Sequence, residues 1–516
     1  MHVFEAVLAL LLGATVLSAF ARHLAIPYPT LLALGGALLA VIPGAPRLDL
    51  PPELILALFV APVLLDAAYD ASLRDLRQAW VPVSSLVLVA VALTTMAVAV
   101  TARLLLPDIP WAAAIALGAL VAPPDAVAAL AVLRQVDPPY RLRVVLEGES
   151  LLNDAAALLI YRLAVGAVAA GSFSVQAAMP AFGLVVLGSV IAGWLLARPV
   201  GMVTARIKDA PSAVIVQFVS TFAVWLAAER IGLSGVVTIV VFGLSLAQRS
   251  IPPMTARLRV ATFAIWETVT VVLNVLAFTL IGLQLRPILE ALPAGERMRA
   301  LGVAALILAV VIAVRLAWAM THHGIVAMKI RLAGYRPVRS ATAPPTAKSA
   351  LVVGWSGMRG IVTLAAAMAL PAGFPDRDLI QLTAFVVVLG TLVLQGLTLR
   401  PLLLFLGLPK DSIIADELRL ARETGLNAAM AALAGDTSAA AERLRQRYAE
   451  ALAQARSGGD PSDAPDSILR RRLVHASRNA IQDLRSSGAI GDDAYRRAEE
   501  ELDWLELSAQ PTKDSA

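Results

Sequence analysis

With 58% of its 516 residues hydrophobic and only 16% charged, this chain holds more apolar side chains than one soluble core can bury, since soluble domains are about a quarter charged. The net charge of +5 reads as arginine-rich loops on the cytoplasmic side of a membrane, not as a nucleic-acid surface. Zero cysteines exclude disulfides, thiol catalysis and cysteine-held zinc.

Apolar stretches recur near 3–20, 27–44, 53–69, 80–105, 111–133, 145–170, 179–204, 211–229, 233–248, 262–285, 299–321, 348–371 and 379–405. Each approaches the ~20 residues that carry a helix across a bilayer, which predicts about thirteen spans. The first resembles a signal peptide from Leu8 to Phe20 but lacks a basic start, because residues 2 to 6 offer only His2 and Glu5. It is therefore read as a membrane helix.

The third stretch ends in Leu64-Leu65-Asp66-Ala67, which puts a carboxylate inside the apolar zone. Asp66 either hydrogen-bonds Asn153 or marks the membrane boundary. The fifth is interrupted by Pro123-Pro124-Asp125. Tandem prolines lack donors and break a helix, and broken membrane helices occur where backbone ends meet ions. Asp125 is thus a helix cap, an ion ligand or both.

The sixth stretch carries the densest chemistry, Glu147-Gly148-Glu149-Ser150-Leu151-Leu152-Asn153-Asp154. On a helix Glu149 and Asn153 stack at i, i+4, and Ser150 and Asp154 form the neighbouring stripe about 100° round. Oxygen-rich groups in one sector suit a hard cation such as Na⁺. A polar helix end explains Glu147 well and Glu149 partly. It explains Asp154 poorly, since most of the apolar helix lies beyond that residue, and intramembrane carboxylates mark ion or proton paths. Gly232 and Ser234 predict a tight turn between the eighth and ninth stretches. Asn274 in the tenth is expected to bond a neighbouring helix.

The twelfth stretch contains Gly354-Trp355-Ser356-Gly357-Met358-Arg359-Gly360. Arg359 is a permanent cation in an apolar run and needs a carboxylate or helix C-termini. Glu149 is the natural partner; a loop arginine at the boundary is the plainer alternative.

Loop arginines alternate in density and place the N-terminus outside and the C-terminus in the cytoplasm. Arg74 and Arg77, Arg134, Arg141 and Arg143, and Arg206 and Lys208 all fall on the richer side. The membrane domain is read as 1–405 and a helical cytoplasmic tail as 406–516. Ser457 to Pro465 reads as a flexible break, and Gly488 and Gly491 as a later one. Between them Leu473, Ala476, Ala480, Ile481 and Leu484 recur at helical spacing.

The elements around Asp66, Pro124-Asp125, Glu149 to Asp154, Leu280-Ile281-Gly282-Leu283 and Gly357-Met358-Arg359-Gly360 together resemble the monovalent cation/proton antiporters. Within that family the chain resembles the bacterial Na⁺/H⁺ exchangers with an Asn-Asp site. The resemblance implies an all-α polytopic membrane protein of about 13 transmembrane helices. It also implies inverted repeats, two crossing discontinuous helices and a homodimer in the inner (cell) membrane. By the same resemblance Asp154 binds the ion or the proton, Asp125 and Ser150 help hold Na⁺, Asn153 is structural, and Glu149 pairs with Arg359. Pro124 stands where many relatives have threonine, so one hydroxyl ligand is missing. Asn153 cannot carry a second proton, which agrees with one cation exchanged for one proton, and the resemblance implies a role in pH regulation.

No Walker-type loop occurs, so neither nucleotide nor other cofactor is expected, and no enzyme activity. A K⁺/H⁺ antiporter is the nearest alternative. A cation channel would need no proton coupling. An intramembrane aspartyl protease would use Asp125 and Asp154, but the chain lacks a Gly-x-Gly-Asp arrangement. The expected partners are Na⁺, with Li⁺ or K⁺ as the alternative cation, H⁺, the lipid bilayer and a second copy, and no nucleic acid.

Overall fold

A computed structural model describes residues 2–24, 26–43, 51–136, 138–170, 175–248, 256–333, 346–409, 411–457, 465–487, 489 and 492–507. They fall into two compact units, Met1–Lys410 and Asp411–Ala516. Both units are helical, with no strand among the described residues.

The first unit opens with α1 (His2–Leu24) and α2 (Tyr28–Val41). Helices α3 (Pro52–Asp70) and α5 (Trp80–Leu105) each contain a wider π turn, at Leu56–Val60 and Ser85–Ala90. The short α4 (Leu73–Gln78) lies between them, with Ser72 as its cap. Next come α6 (Trp111–Val121) and α7 (Ala126–Leu133), two halves of one interrupted segment, and then the long α8 (Tyr140–Ala170). They are followed by α9 (Val175–Thr204), α10 (Ala210–Arg230), α11 (Gly235–Gln248), α12 (Ala256–Leu283), α13 (Leu285–Ala291) and α14 (Arg297–Ala333). A second interrupted segment, α15 (Ala347–Trp355) and α16 (Ile361–Met368), precedes α17 (Arg377–Leu406). Among the described residues eight segments are long and apolar enough to cross a membrane alone, and further apolar helices are shorter. The protein is an all-α polytopic membrane protein.

Small residues set the helix spacing. Gly36 on α2 and Gly282 on α12 face each other's backbones so closely that neither position has room for a Cβ. Gly118 on α6 meets the Thr95 backbone of α5 in the same way, and Gly193 on α9 meets Thr238 of α11. Without water to drive helices together, such close van der Waals seams carry much of the association. The turn expected at Gly232 is present: Gly232 has φ +76, and the Ser234 amide donates to Ser189 Oγ at 2.9 Å.

The second unit contains α18 (Ile413–Ala432) packed on α19 (Ala439–Ser457), and α20 (Pro465–Ser486) packed on α21 (Asp492–Leu507). Leu473 and Leu484 are exposed, whereas Val474 is buried. One turn beyond Val474, Arg478 reaches Asp503 at 2.6 Å, Glu506 at 2.9 Å and Glu499 at 3.5 Å on α21. Acidic residues on α21 therefore fix which face of α20 turns inward. The expected breaks at 458–464 and at Gly488 and Gly491 lie outside the described residues.

Candidate functional site

The first interruption follows from its sequence. Pro123 and Pro124 have no N–H to give, so α6 stops at Val121. Asp125 restarts the helix as the cap of α7, and its Oδ1 accepts from the Val127 amide at 2.8 Å. In the second interruption α15 ends at Trp355, and α16 begins after Gly360. The two interruptions cross, and the Asp125 amide donates to the Met358 carbonyl at 2.6 Å. The Asp125 carboxylate lies against Gly360, in the space that a Cβ there would occupy. It therefore faces the N-terminal ends of both α7 and α16, where helix dipoles favour negative charge.

The C-terminal ends at the crossing face arginines. Arg359 is 0% exposed. Its Nε donates to the Val121 carbonyl at 3.0 Å, Nη2 to Ala122 at 3.3 Å, and Nη1 to the Gly357 carbonyl. Its own amide is held by Thr391 Oγ1 at 3.0 Å. Arg315, from the middle of α14, donates to the Val353 carbonyl at the end of α15, at 3.1 Å. Gly357 lies between these two arginines, close to both side chains.

Helix α8 supplies the rest. Gly148 lets it close on Leu76 and Val83. Glu149 is buried and takes Arg315 in a two-pronged pair at 2.5 and 2.8 Å. Asn153 is fully buried, and its Nδ2 donates to the Pro124 carbonyl at 3.1 Å, tying α8 to the first interruption. Asp154 is 9% exposed, has no hydrogen-bond or ion-pair partner among the described residues, and lies within electrostatic reach of Asp125. Ser150, one turn before Asp154 on the same stripe, lines a small cavity with Asp125, Pro124, Ala129, Leu146, Glu149 and Ser356. Asp154 does not line that cavity. No cluster of three or more metal-ligating side chains occurs among the described residues.

The structure thus brings Asp125, Ser150, Asn153 and Asp154 to the crossing and changes two partnerships. Glu149 pairs with Arg315, not Arg359, because Arg359 sits beside free helix-end carbonyls and is compensated there. Asp66 is half-buried and accepts from Thr270 Oγ1 at 3.4 Å, not from Asn153, whose amide is taken by Pro124. Asn274 makes no hydrogen bond to a neighbouring helix among the described residues. Sequence reasoning missed Arg315, although a lone arginine inside the apolar run 299–321 was the signal. It also passed over Ser356 as an individual residue.

The family described as "Sodium/hydrogen exchanger, transmembrane" matches residues 7–405. An uncharacterised Na⁺/H⁺ exchanger of Mycobacterium tuberculosis is 30% identical over 513 residues, covering 94% of this chain and 92% of the relative. A protein of Bacillus pumilus named sodium, potassium, lithium and rubidium/H⁺ antiporter is 30% identical over 443 residues, covering 81% of this chain and 63% of the relative. Among solved structures, the sodium proton antiporter MjNhaP1 of Methanocaldococcus jannaschii superposes with a TM-score of 0.61 at 19% identity, over 78% of this chain and 97% of that one. The likeness to MjNhaP1 shows a shared fold.

Proposed function

This chain belongs to the sodium/hydrogen exchanger family, and from that membership we propose that it exchanges Na⁺ for H⁺ across the cytoplasmic membrane, one for one, by alternating access. The observation that carries the mechanism is Asp154, a buried carboxylate with no partner of its own among the described residues, beside the crossing of two broken helices. An ionised carboxylate kept from water without a countercharge costs several kcal/mol. A proton or a Na⁺ ion removes that cost, and the two compete for one group. Asp125 and Ser150 add oxygens from the neighbouring cavity, a donor set suited to a hard cation. Asn153 holds the Pro124 carbonyl and has no proton to exchange, which keeps the cycle at one charge for one charge.

In this reading the site-bearing elements reorient only when Asp154 is neutralised, so a proton gradient drives Na⁺ outward. The protein works as a dimer with its N-terminus outside and its tail in the cytoplasm. Glu149, Arg315, Arg359 and Asp66 are structural.

The test is cation-induced dequenching of a pH dye in proteoliposomes. Asp154→Asn is expected to abolish the signal while the protein purifies and melts as the wild type. Retained, pH-dependent Na⁺ flux in that variant rules the assignment out. K⁺/H⁺ exchange is the second reading, favoured by the name of the Bacillus pumilus relative. Dequenching by K⁺ and not by Na⁺ selects it.

A further inference from the structure

The residue before Asp125 is a proline, which brings neither a side-chain oxygen nor an N–H to the site. The other interruption supplies a hydroxyl. Ser356 terminates α15, where its amide donates to the Val352 carbonyl at 2.8 Å. It is 1% exposed, and its Oγ has no hydrogen-bond partner among the described residues. An unpaired buried hydroxyl costs about 1–3 kcal/mol, so its persistence calls for a ligand.

Ser356 borders the same cavity as Asp125 and Ser150. Glu149 and Pro124 of that wall are engaged elsewhere. The Glu149 carboxylate takes Arg315, and the Pro124 carbonyl takes the Asn153 amide. Asp125 commits Oδ1 to the Val127 amide, and among the described residues no hydrogen bond is made to its Oδ2. Asp125, Ser150 and Ser356, from α7, α8 and α15, border this one small space.

We propose that Ser356 Oγ is an inner ligand of the transported alkali cation, completing an oxygen set with Asp125 and Ser150. The assignment rests on the exchange reading of this site and adds to it a ligand from the second interruption. A neutral hydroxyl adds an oxygen without adding charge. It therefore changes how tightly and how selectively the cation is held, and leaves the proton count alone.

Equilibrium binding of ²²Na⁺ to the purified full chain, run beside the dequenching assay, tests this. Ser356→Ala should weaken Na⁺ binding about tenfold and raise the half-saturating Na⁺ by the same factor. Its melting temperature without Na⁺ should stay or rise, because the lost hydroxyl was unpaired. Ser356→Thr keeps the oxygen and should bind as the wild type does. Unchanged Na⁺ binding in Ser356→Ala overturns the proposal, as does weakening in Ser356→Ala and Ser356→Thr alike. Wild type that binds Na⁺ but moves no protons would sink the exchange reading alone, with the ligand still decided by the alanine variant. Wild type that binds no Na⁺ overturns both.

Discussion

Arg315 and Arg359 sit on either side of Gly357 in the same apolar interior, yet they are compensated in different currencies. Arg315 meets a full negative charge, the two-pronged Glu149 carboxylate. Among the described residues the Arg359 guanidinium hydrogen-bonds only to carbonyl oxygens, those of Val121, Ala122 and Gly357. Position on the helix explains the difference. Arg315 projects from the middle of α14, where the local carbonyls are already bonded along the helix. Arg359 lies in an interruption, next to the unsatisfied last carbonyls of α6. A cation inside a continuous helix needs a carboxylate from elsewhere, whereas one at a break can draw on the helix dipole.

The sharpest way to break this contrast is Glu149→Gln, which leaves Arg315 buried without its countercharge. The expected cost is about 3–5 kcal/mol, read as a fall in the thermal unfolding midpoint in detergent. Adding Arg315→Met should restore much of the loss, since the pair is then gone as a unit. A double variant as unstable as the single one would show that the pair is not what balances Arg315. Arg359→Lys is the next test. One ammonium cannot meet the Val121 and Ala122 carbonyls in the fork geometry of a guanidinium, so about 2 kcal/mol should be lost by the same measurement. A lysine variant as stable as the wild type would mean that charge alone, without the fork, suffices there.

The smallest effect lies outside the apolar layer, at Asp75 on α4. Burial works against its charge, but hydrogen bonds from Tyr140, Ser72 and Arg74 outweigh burial and hold its carboxyl below the usual carboxylate range. The folded state thus favours the ionised form. That stabilisation is complete above the ordinary carboxylate range and is lost as pH falls through the lowered value. Tyr140→Phe removes a 2.7 Å bond to Asp75 Oδ2. Stability near neutrality should fall by about 1 kcal/mol, and the gap to the wild type should narrow as pH falls through the acid range. A gap of the same size at neutral and acid pH would place the compensation of Asp75 elsewhere.

Much of this architecture was legible in the residues themselves. Pro123, Pro124 and the glycines around Arg359 act locally, so both interruptions and the cap at Asp125 could be read from the chain. The stripe of Ser150 and Asp154 followed from helical spacing alone. What could not be read was which of two arginines would take one carboxylate, because that depends on where α14 passes the crossing. The mid-helix position of Arg315 was nonetheless a usable clue. On α20 the apolar spacing of Leu473 and Leu484 left the packing face open; the face turned to α21 carries Val474 and Arg478. The partner of Asp66 was hidden for a similar reason: the Asn153 amide is consumed by a carbonyl that only the broken segment exposes.

The 2.6 Å bond from the Asp125 amide to the Met358 carbonyl joins main chain to main chain. No alanine scan can delete it, so a mutational map of this protein will leave blank one of the struts that holds its two kinked segments together. Its signature is isotopic instead: deuterium should enter at that amide far more slowly than at the frayed helix ends, and an ester linkage at residue 125 would be the way to cut it.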